Sequence, residues 1–206
     1  MGLLTNYGYL LFEIRHYDVA RPVLKRSVDL SEKILGADHP EMAGPLNNYG
    51  RLLVHDKDFA EARILFERAL RISEKALGHM HRDVAMSLDN LGLLCLDTGE
   101  DQAASRYLTE ALKVWTSTVG SEDADTAMTL HRIATLRARG GDLSGAAELF
   151  EKVLKIREKQ LGAIHPELAE TLESYAQVLR KRGAADEARA YEDRARKIWA
   201  ELDGLR

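Results

Sequence analysis

One distance constrains this chain more than any other feature. Leu35-Gly36, Leu77-Gly78, Val119-Gly120 and Leu161-Gly162 are equivalent pairs whose glycines lie 42 residues apart, and Gly204 falls one period further on. A fixed period in the range of about 20–50 residues is the mark of a stacked repeat protein. Each copy is one supersecondary unit that cannot cover its own apolar face, so its neighbours must.

Set in register, five copies run 1–36, 37–78, 79–120, 121–162 and 163–204. The second copy reads most clearly. His39-Pro40 is a helix start, with proline at the first helical turn. Leu46, Tyr49 and Leu53 follow at helical spacing. His55-Asp56-Lys57-Asp58 breaks the pattern, and Asp58 is placed to cap a second helix. Ala62, Leu65, Phe66, Ala69, Leu70, Ile72 and Leu77 make its apolar stripe, and Gly78 ends it. Each copy is therefore two antiparallel helices, A and B. Turns at Thr98-Gly99, Gly140-Gly141-Asp142 and Gly183 separate them in the later copies.

Small residues recur at one place on each helix. Gly8, Gly50, Gly92, Ala134 and Ala176 share a place on helix A, and Ala20, Ala62, Ala104, Ala146 and Ala188 share one on helix B. Matching small residues let paired helices approach closely. Tyr7, Tyr49, Leu91, Ile133 and Tyr175 are expected to fill the groove beside them.

Composition removes several function classes. A net charge of −4 argues against a nucleic-acid partner, which leaves a basic footprint. The single cysteine, Cys95, rules out a disulfide framework within the chain. No apolar run is long enough for a membrane span, and Met1-Gly2 opens neither a secretory signal nor a complete myristoylation motif, since Asn6 stands where Ser or Thr is needed. A reducing, cytoplasmic setting without a membrane partner is the expectation. The first residues are already in repeat phase with no His-Pro turn before them. That reads as a domain excised from a longer protein with Met1 added, the alternative being a natural short protein with a trimmed first helix.

Small-Ala-aromatic-Ala at these spacings resembles the tetratricopeptide repeat. The longer period, the His-Pro opening, Asn47-Asn48 and the tail from Ala69-Leu70-Arg71-Ile72 to Leu77-Gly78 resemble the kinesin-light-chain type of that repeat. The resemblance implies a single all-α solenoid domain over residues 1–206, with five antiparallel helix pairs in a right-handed superhelical arc and helix A lining the concave face. In that family, asparagines and nearby arginines on helix A hold cargo peptides that carry an aromatic residue among acidic ones. By position the carry-over reaches Asn6, Asn48, Asn90, Arg51 and Arg132. Neighbouring places add Asn47, Tyr9, Leu93 and His131. An asparagine offers both donor and acceptor, so a row of them suits the backbone of an extended peptide. The same residues equally suit bracing of one helix A against the next, and both readings stand. The two-carboxylate clamp of chaperone-binding repeats is disfavoured, because Thr5, Tyr9 and Glu13 occupy its neighbourhood.

Departures from the pattern mark places to watch. His81-Arg82 and Asp123-Ala124 replace His-Pro. Arg137 stands at the core-type place of Leu53 and Cys95, where it must snorkel or find a carboxylate. Glu192 replaces the Phe66-type residue, as suits a terminal helix with one wet face. Pro22 and Gly44-Pro45 fall inside expected helices and should kink them or delay their start. Trp115 and Trp199 share a place on helix B, which reads either as packing between B helices or as a sticky face for self-association. Arg132, Arg137, Arg139, Arg180, Lys181 and Arg182 make the second half of the expected groove basic and lean its preference toward acidic ligands.

Catalytic chemistry is hard to place. His39, His81 and His165 are equivalent copies, so they cannot converge on one metal, and they read as helix-start residues. No phosphate loop, nucleophile elbow or metalloprotease helix motif is present. The expectation is a non-catalytic protein-interaction module needing no metal or cofactor, which binds a peptide or protein segment on helix A. The alternative is a sensor or assembly arm of a larger signalling NTPase or protease, since similar repeats stand beside such domains.

Overall fold

The computed structural model describes Gly2–Gly204. Met1, and with it the reading of an added start residue, lies outside the described residues, as do Leu205 and Arg206. The described residues form ten α-helices and no strand: α1 (Gly2–Glu13), α2 (Tyr17–Leu35), α3 (Ala43–His55), α4 (Phe59–Leu77), α5 (Arg82–Thr98), α6 (Asp101–Thr118), α7 (Ala124–Arg139), α8 (Leu143–Leu161), α9 (Pro166–Lys181) and α10 (Ala185–Gly204). Odd-numbered helices are the A helices and even-numbered ones the B helices. The chain divides into two compact units, one through Val114 and one from Trp115, so the division falls within α6.

Every A–B turn closes in the same way. The backbone N–H groups of His16, Asp58, Glu100, Asp142 and Ala184 donate to the carbonyls of Leu11, Leu53, Cys95, Arg137 and Leu179 at 2.8–3.0 Å. That bond requires the preceding residue to adopt positive φ. Gly99, Gly141 and Gly183 do so, and so do Arg15 (63°) and Lys57 (65°) in the first two copies. No sequence signal marks those two, because a basic residue does not announce a left-handed backbone. Each B helix before α10 ends at a glycine with positive φ; at Gly78 the pair φ 76°, ψ 171° is open to glycine alone. Gly204 departs from this pattern, since α10 runs through it.

A helices open on side-chain caps in four copies. Nδ1 of His39, His81 and His165 accepts the backbone N–H two residues on, at 3.2–3.3 Å, and the Asp123 carboxylate does the same at 2.9 Å. Loss of proline at His81-Arg82 and Asp123-Ala124 therefore leaves the cap in place. The expected cap of α4 is absent: Asp58 makes no side-chain cap bond, and its carboxylate accepts from Arg21 at 3.1 Å instead. Pro45 sits in the first turn of α3, behind a single 3-10 turn at Pro40–Met42, where its missing N–H costs nothing. Pro22 lies inside α2, which continues through it to Leu35.

In the first unit the crossing of each helix pair rests on glycine. A Cβ at Gly8 would lie 2.6 Å from Leu24 of α2, and one at Gly92 2.5 Å from Leu108 of α6. At Gly50 it would collide with the Phe66 ring of α4. The core around these crossings holds Leu24, Leu46, Tyr49, Leu53 and Phe66. Tyr7 breaks the expected series: Tyr49 is buried, but Tyr7 is half exposed on the far side of α1. In the second unit Ala134 and Ala176 take the glycine's place, and the core gathers Phe150, Leu154, Leu168, Leu172 and Tyr175. Glu192 on α10 turns outward and pairs with Arg180.

Candidate functional site

The A-helix residues singled out from sequence do not behave as one row. On α1, Asn6 and Tyr9 are exposed; on α3, Asn48 and Arg51 are half-buried; on α5, Leu93 is half-buried. Arg51 reaches across to α1. One guanidinium nitrogen donates to Glu13 Oε1 at 3.1 Å, and its carbon stands 5.4 Å from the Tyr9 ring centre and 5.1 Å from that of Phe12. Planar, weakly hydrated guanidinium suits this stacking in a way that lysine would not. Burial raises the Tyr9 phenol above its usual pKa, and the charge on Arg51 partly opposes that. Tyr9, Phe12, Glu13 and Arg51 thus form an exposed corner with an aromatic floor and opposite charges at its rim. Phe12 and Glu13 were not singled out as site residues from sequence; their signal is the diagonal approach of successive A helices, which a single-row alignment does not convey.

Asn47 and Asn90 turn inward. Asn47 is 0% exposed and Asn90 3% exposed. Asn90 Nδ2 donates to Asn47 Oδ1 at 3.0 Å, and Asn47 Nδ2 donates to Ser87 Oγ at 2.9 Å. These amides tie α3 to α5 in the geometry of a brace. Asn47 and Asn48 are one residue apart, yet about 100° of helix rotation separates a buried brace from a half-buried amide.

The second unit repeats the brace with different chemistry. His131 on α7 stands one repeat-pair on from Asn47, and its Nδ1 lies 3.4 Å from Thr171 Oγ1 on α9, the counterpart of Ser87. The ring meets Phe150 edge-on, with centres 5.2 Å apart. Arg157 of α8 closes the group. It is 4% exposed, donates to Thr171 Oγ1 and to the Glu167 carbonyl, and pairs with the Glu167 carboxylate at 3.0 Å. Burial, then the Arg157 charge, drives His131 down to a pKa of about 3, so the imidazole is neutral at pH 7. His131 is a packing residue here. Arg132 beside it is buried rather than presented to solvent.

The expected basic stretch is partly neutralised. Arg180 makes a two-pronged pair with Glu192 at 2.6 and 2.7 Å, and Arg137, exposed rather than in the core, lies 3.7 Å from Asp142. Trp115 is buried, and the partly exposed Trp199 donates its indole N–H to Glu173 at 2.9 Å. Cys95 is buried, and burial raises its thiol pKa. Among the described residues, no cluster of three or more His, Cys, Asp or Glu side chains is arranged to hold a metal ion. No helix among them is long and apolar enough to cross a membrane.

The tetratricopeptide repeat family model matches residues 1–72, 41–117, 107–159 and 125–201. The chain belongs to the tetratricopeptide repeat family. Its ten helices are thus five repeats of a solenoid, with the longer period seen in kinesin-light-chain-like relatives. BtubC from P. vanneervenii matches over 98% of this chain and 80% of its own, at 22% identity and a TM-score of 0.75. The nearly identical TPR-like repeats of a Podosopora anserina kinesin light chain match over 97% of this chain and 94% of their own, at 23% identity and a TM-score of 0.67. A Rap protein solved in complex with competence and sporulation factor matches over 97% of this chain and 54% of its own, at 19% identity and a TM-score of 0.83. No curated protein matches the sequence. Tetratricopeptide repeats generally serve as non-catalytic interaction scaffolds.

Proposed function

We propose that this tetratricopeptide repeat chain is a non-catalytic protein-interaction module that takes an extended peptide along its concave A-helix face. The observation that carries the reading is the corner of α1 and α3. Arg51 lies over Tyr9 and Phe12 with Glu13 on one edge, while Asn6 and Asn48 offer amides to solvent beside it. An aromatic ligand side chain would stack on Tyr9, and a ligand carboxylate would take the place of Glu13 on Arg51. That chemistry favours peptides carrying an aromatic residue among acidic ones. Leu93 would extend the apolar floor on α5. Binding of competence and sporulation factor by the structurally similar Rap protein supports a ligand-binding role for such a fold. The reading includes one continuous domain of five repeats acting in the cytoplasm.

The test is an array of synthetic peptides pairing aromatic with acidic residues, probed with the chain and with Tyr9→Ala, Asn48→Ala and Arg51→Ala. The expected outcome is a loss of at least ~10-fold in affinity for Arg51→Ala with an unchanged melting temperature. Equal binding by all variants removes this site.

A further inference from the structure

Arg51 and Glu13 pair across α1 and α3 at a point where the repeat architecture asks for no pair. The A helices are tied elsewhere, through Asn47 and Ser87 in the first unit and through His131 and Thr171 in the second. The residues aligned with Glu13 and Arg51 in later copies are His55 with Leu93, Asp97 with Thr135 and Arg139 with Gln177, and none of these sets an acid against a base. The pair is also a loose one. A single guanidinium N–H meets Glu13 Oε1 at 3.1 Å, and the Glu13 side chain is 43% exposed at the last residue of α1. An ion pair of this kind adds little to stability.

Its effect is on the corner itself. Tyr9, Phe12 and Glu13 stand three or four residues apart on one face of α1, so the carboxylate lies beside the rings that Arg51 covers. Burial is the main influence on the Tyr9 phenol, but Arg51 lowers its pKa and Glu13 raises it, so both charges reach the ring. A guanidinium carries five N–H donors in a fork that matches a carboxylate two-pronged. The bond to Glu13 uses one arm of that fork. Asp56 and Asp58, the next carboxylates along the turn, are held by Arg21.

Resting on the peptide-binding reading of this corner, we propose that Glu13 is a specificity-determining residue, an internal counter-ion that an acidic ligand must displace from Arg51 and an aromatic ligand need not. A ligand carboxylate can take both arms of Arg51 only when Glu13 swings out into solvent, which its place at the helix end allows. The exchange swaps one carboxylate for another, so a bare acidic segment gains little from it. A ligand ring keeps its contact with Tyr9 whichever carboxylate Arg51 holds. Glu13 therefore tempers the affinity for charge alone, and a ligand acid counts only beside an aromatic residue.

Fluorescence anisotropy with two labelled peptides tests this, one carrying tyrosine between two glutamates and the other tyrosine between two glutamines. In Glu13→Gln the glutamate peptide should gain about 5-fold in affinity relative to the glutamine peptide, because the competitor for Arg51 has lost its charge. Glu13→Ala should shift the ratio the same way, and Arg51→Ala should abolish the difference between the peptides. A fall in affinity for both peptides in Glu13→Gln would make Glu13 a support that holds Arg51 in place, and an unchanged ratio would make it a bystander. Either result overturns the inference while the peptide site stands. Binding indifferent to Arg51→Ala, or no binding of either peptide, removes the site and the inference together.

Discussion

The same task, tying one A helix to the next, is solved with neutral amides in the first unit and with a buried charge in the second. Asn90, Asn47 and Ser87 form a short hydrogen-bonded chain whose members keep their charge state at every physiological pH. His131, Thr171 and Arg157 occupy corresponding ground, but there an imidazole must stay neutral beside a guanidinium that is itself paired to Glu167. Repeat geometry therefore fixes where a tie is needed and leaves its chemistry free. The consequence is a difference in pH response between two regions of like architecture.

Crossings offer the hardest way to break the comparison. Gly50→Val should cost about 3 kcal/mol, because its Cβ would occupy space held by the Phe66 ring. Ala134→Gly in the second unit should cost only about 1 kcal/mol through helix propensity. Urea midpoints of the two variants check the ratio. Similar losses would mean that the crossings are equally close in both units.

Acid sharpens the contrast next. His131 has a folded pKa of about 3, below the unfolded value near ~6.5. The unfolded state therefore binds more protons between those values. The neutral imidazole's contribution is whole above pH ~6.5 and is lost as pH falls toward ~3. Between pH ~7.5 and ~4.5 this group alone should account for about 2.5–3 kcal/mol of lost stability. His131→Asn, which imports the first unit's solution, should remove that part of the dependence. A pH profile parallel to that of the parent chain would refute the buried-imidazole account.

The amide chain is the milder test. Asn47→Ala removes the acceptor of Asn90 in a buried place, while Ser87 keeps its bond to the Asp83 carbonyl, and should cost about 1–2 kcal/mol, with peptide binding at Arg51 unchanged. Loss of binding without loss of stability would return Asn47 to the ligand site. The smallest effect belongs to the turns. Lys57→Gly should stabilise the chain by up to about 1 kcal/mol, because Lys57 holds φ at 65° where Gly141 and Gly183 do so freely. The melting temperature reads this directly.

Most of the architecture was legible because it follows from period and side-chain size. Glycine at one helix A place and alanine at one helix B place announced close crossings, and the glycine collisions at Leu24, Phe66 and Leu108 are their physical content. The site was legible only in part. Asn6, Asn47, Asn48 and Asn90 look alike in sequence, but helix rotation and the serine on the next A helix decide which amides meet solvent. Arg51 and Tyr9 share an aligned place in successive copies, and sequence gave no sign that the arginine would lean back over the tyrosine. Asp58 had the right type and place to cap α4, but Arg21 offered it a competing charged partner.

The recurring A–B turn also bears on how fast the chain reaches this structure. Its closing bond joins residues five apart, and the longest tie described above, Asn90 to Asn47, spans 43 residues. Contacts so near in sequence cost little loop-closure entropy, and they give a low contact order of the kind that accompanies rapid folding. Because each pair carries its own closing bond, folding can nucleate in any repeat and spread to its neighbours.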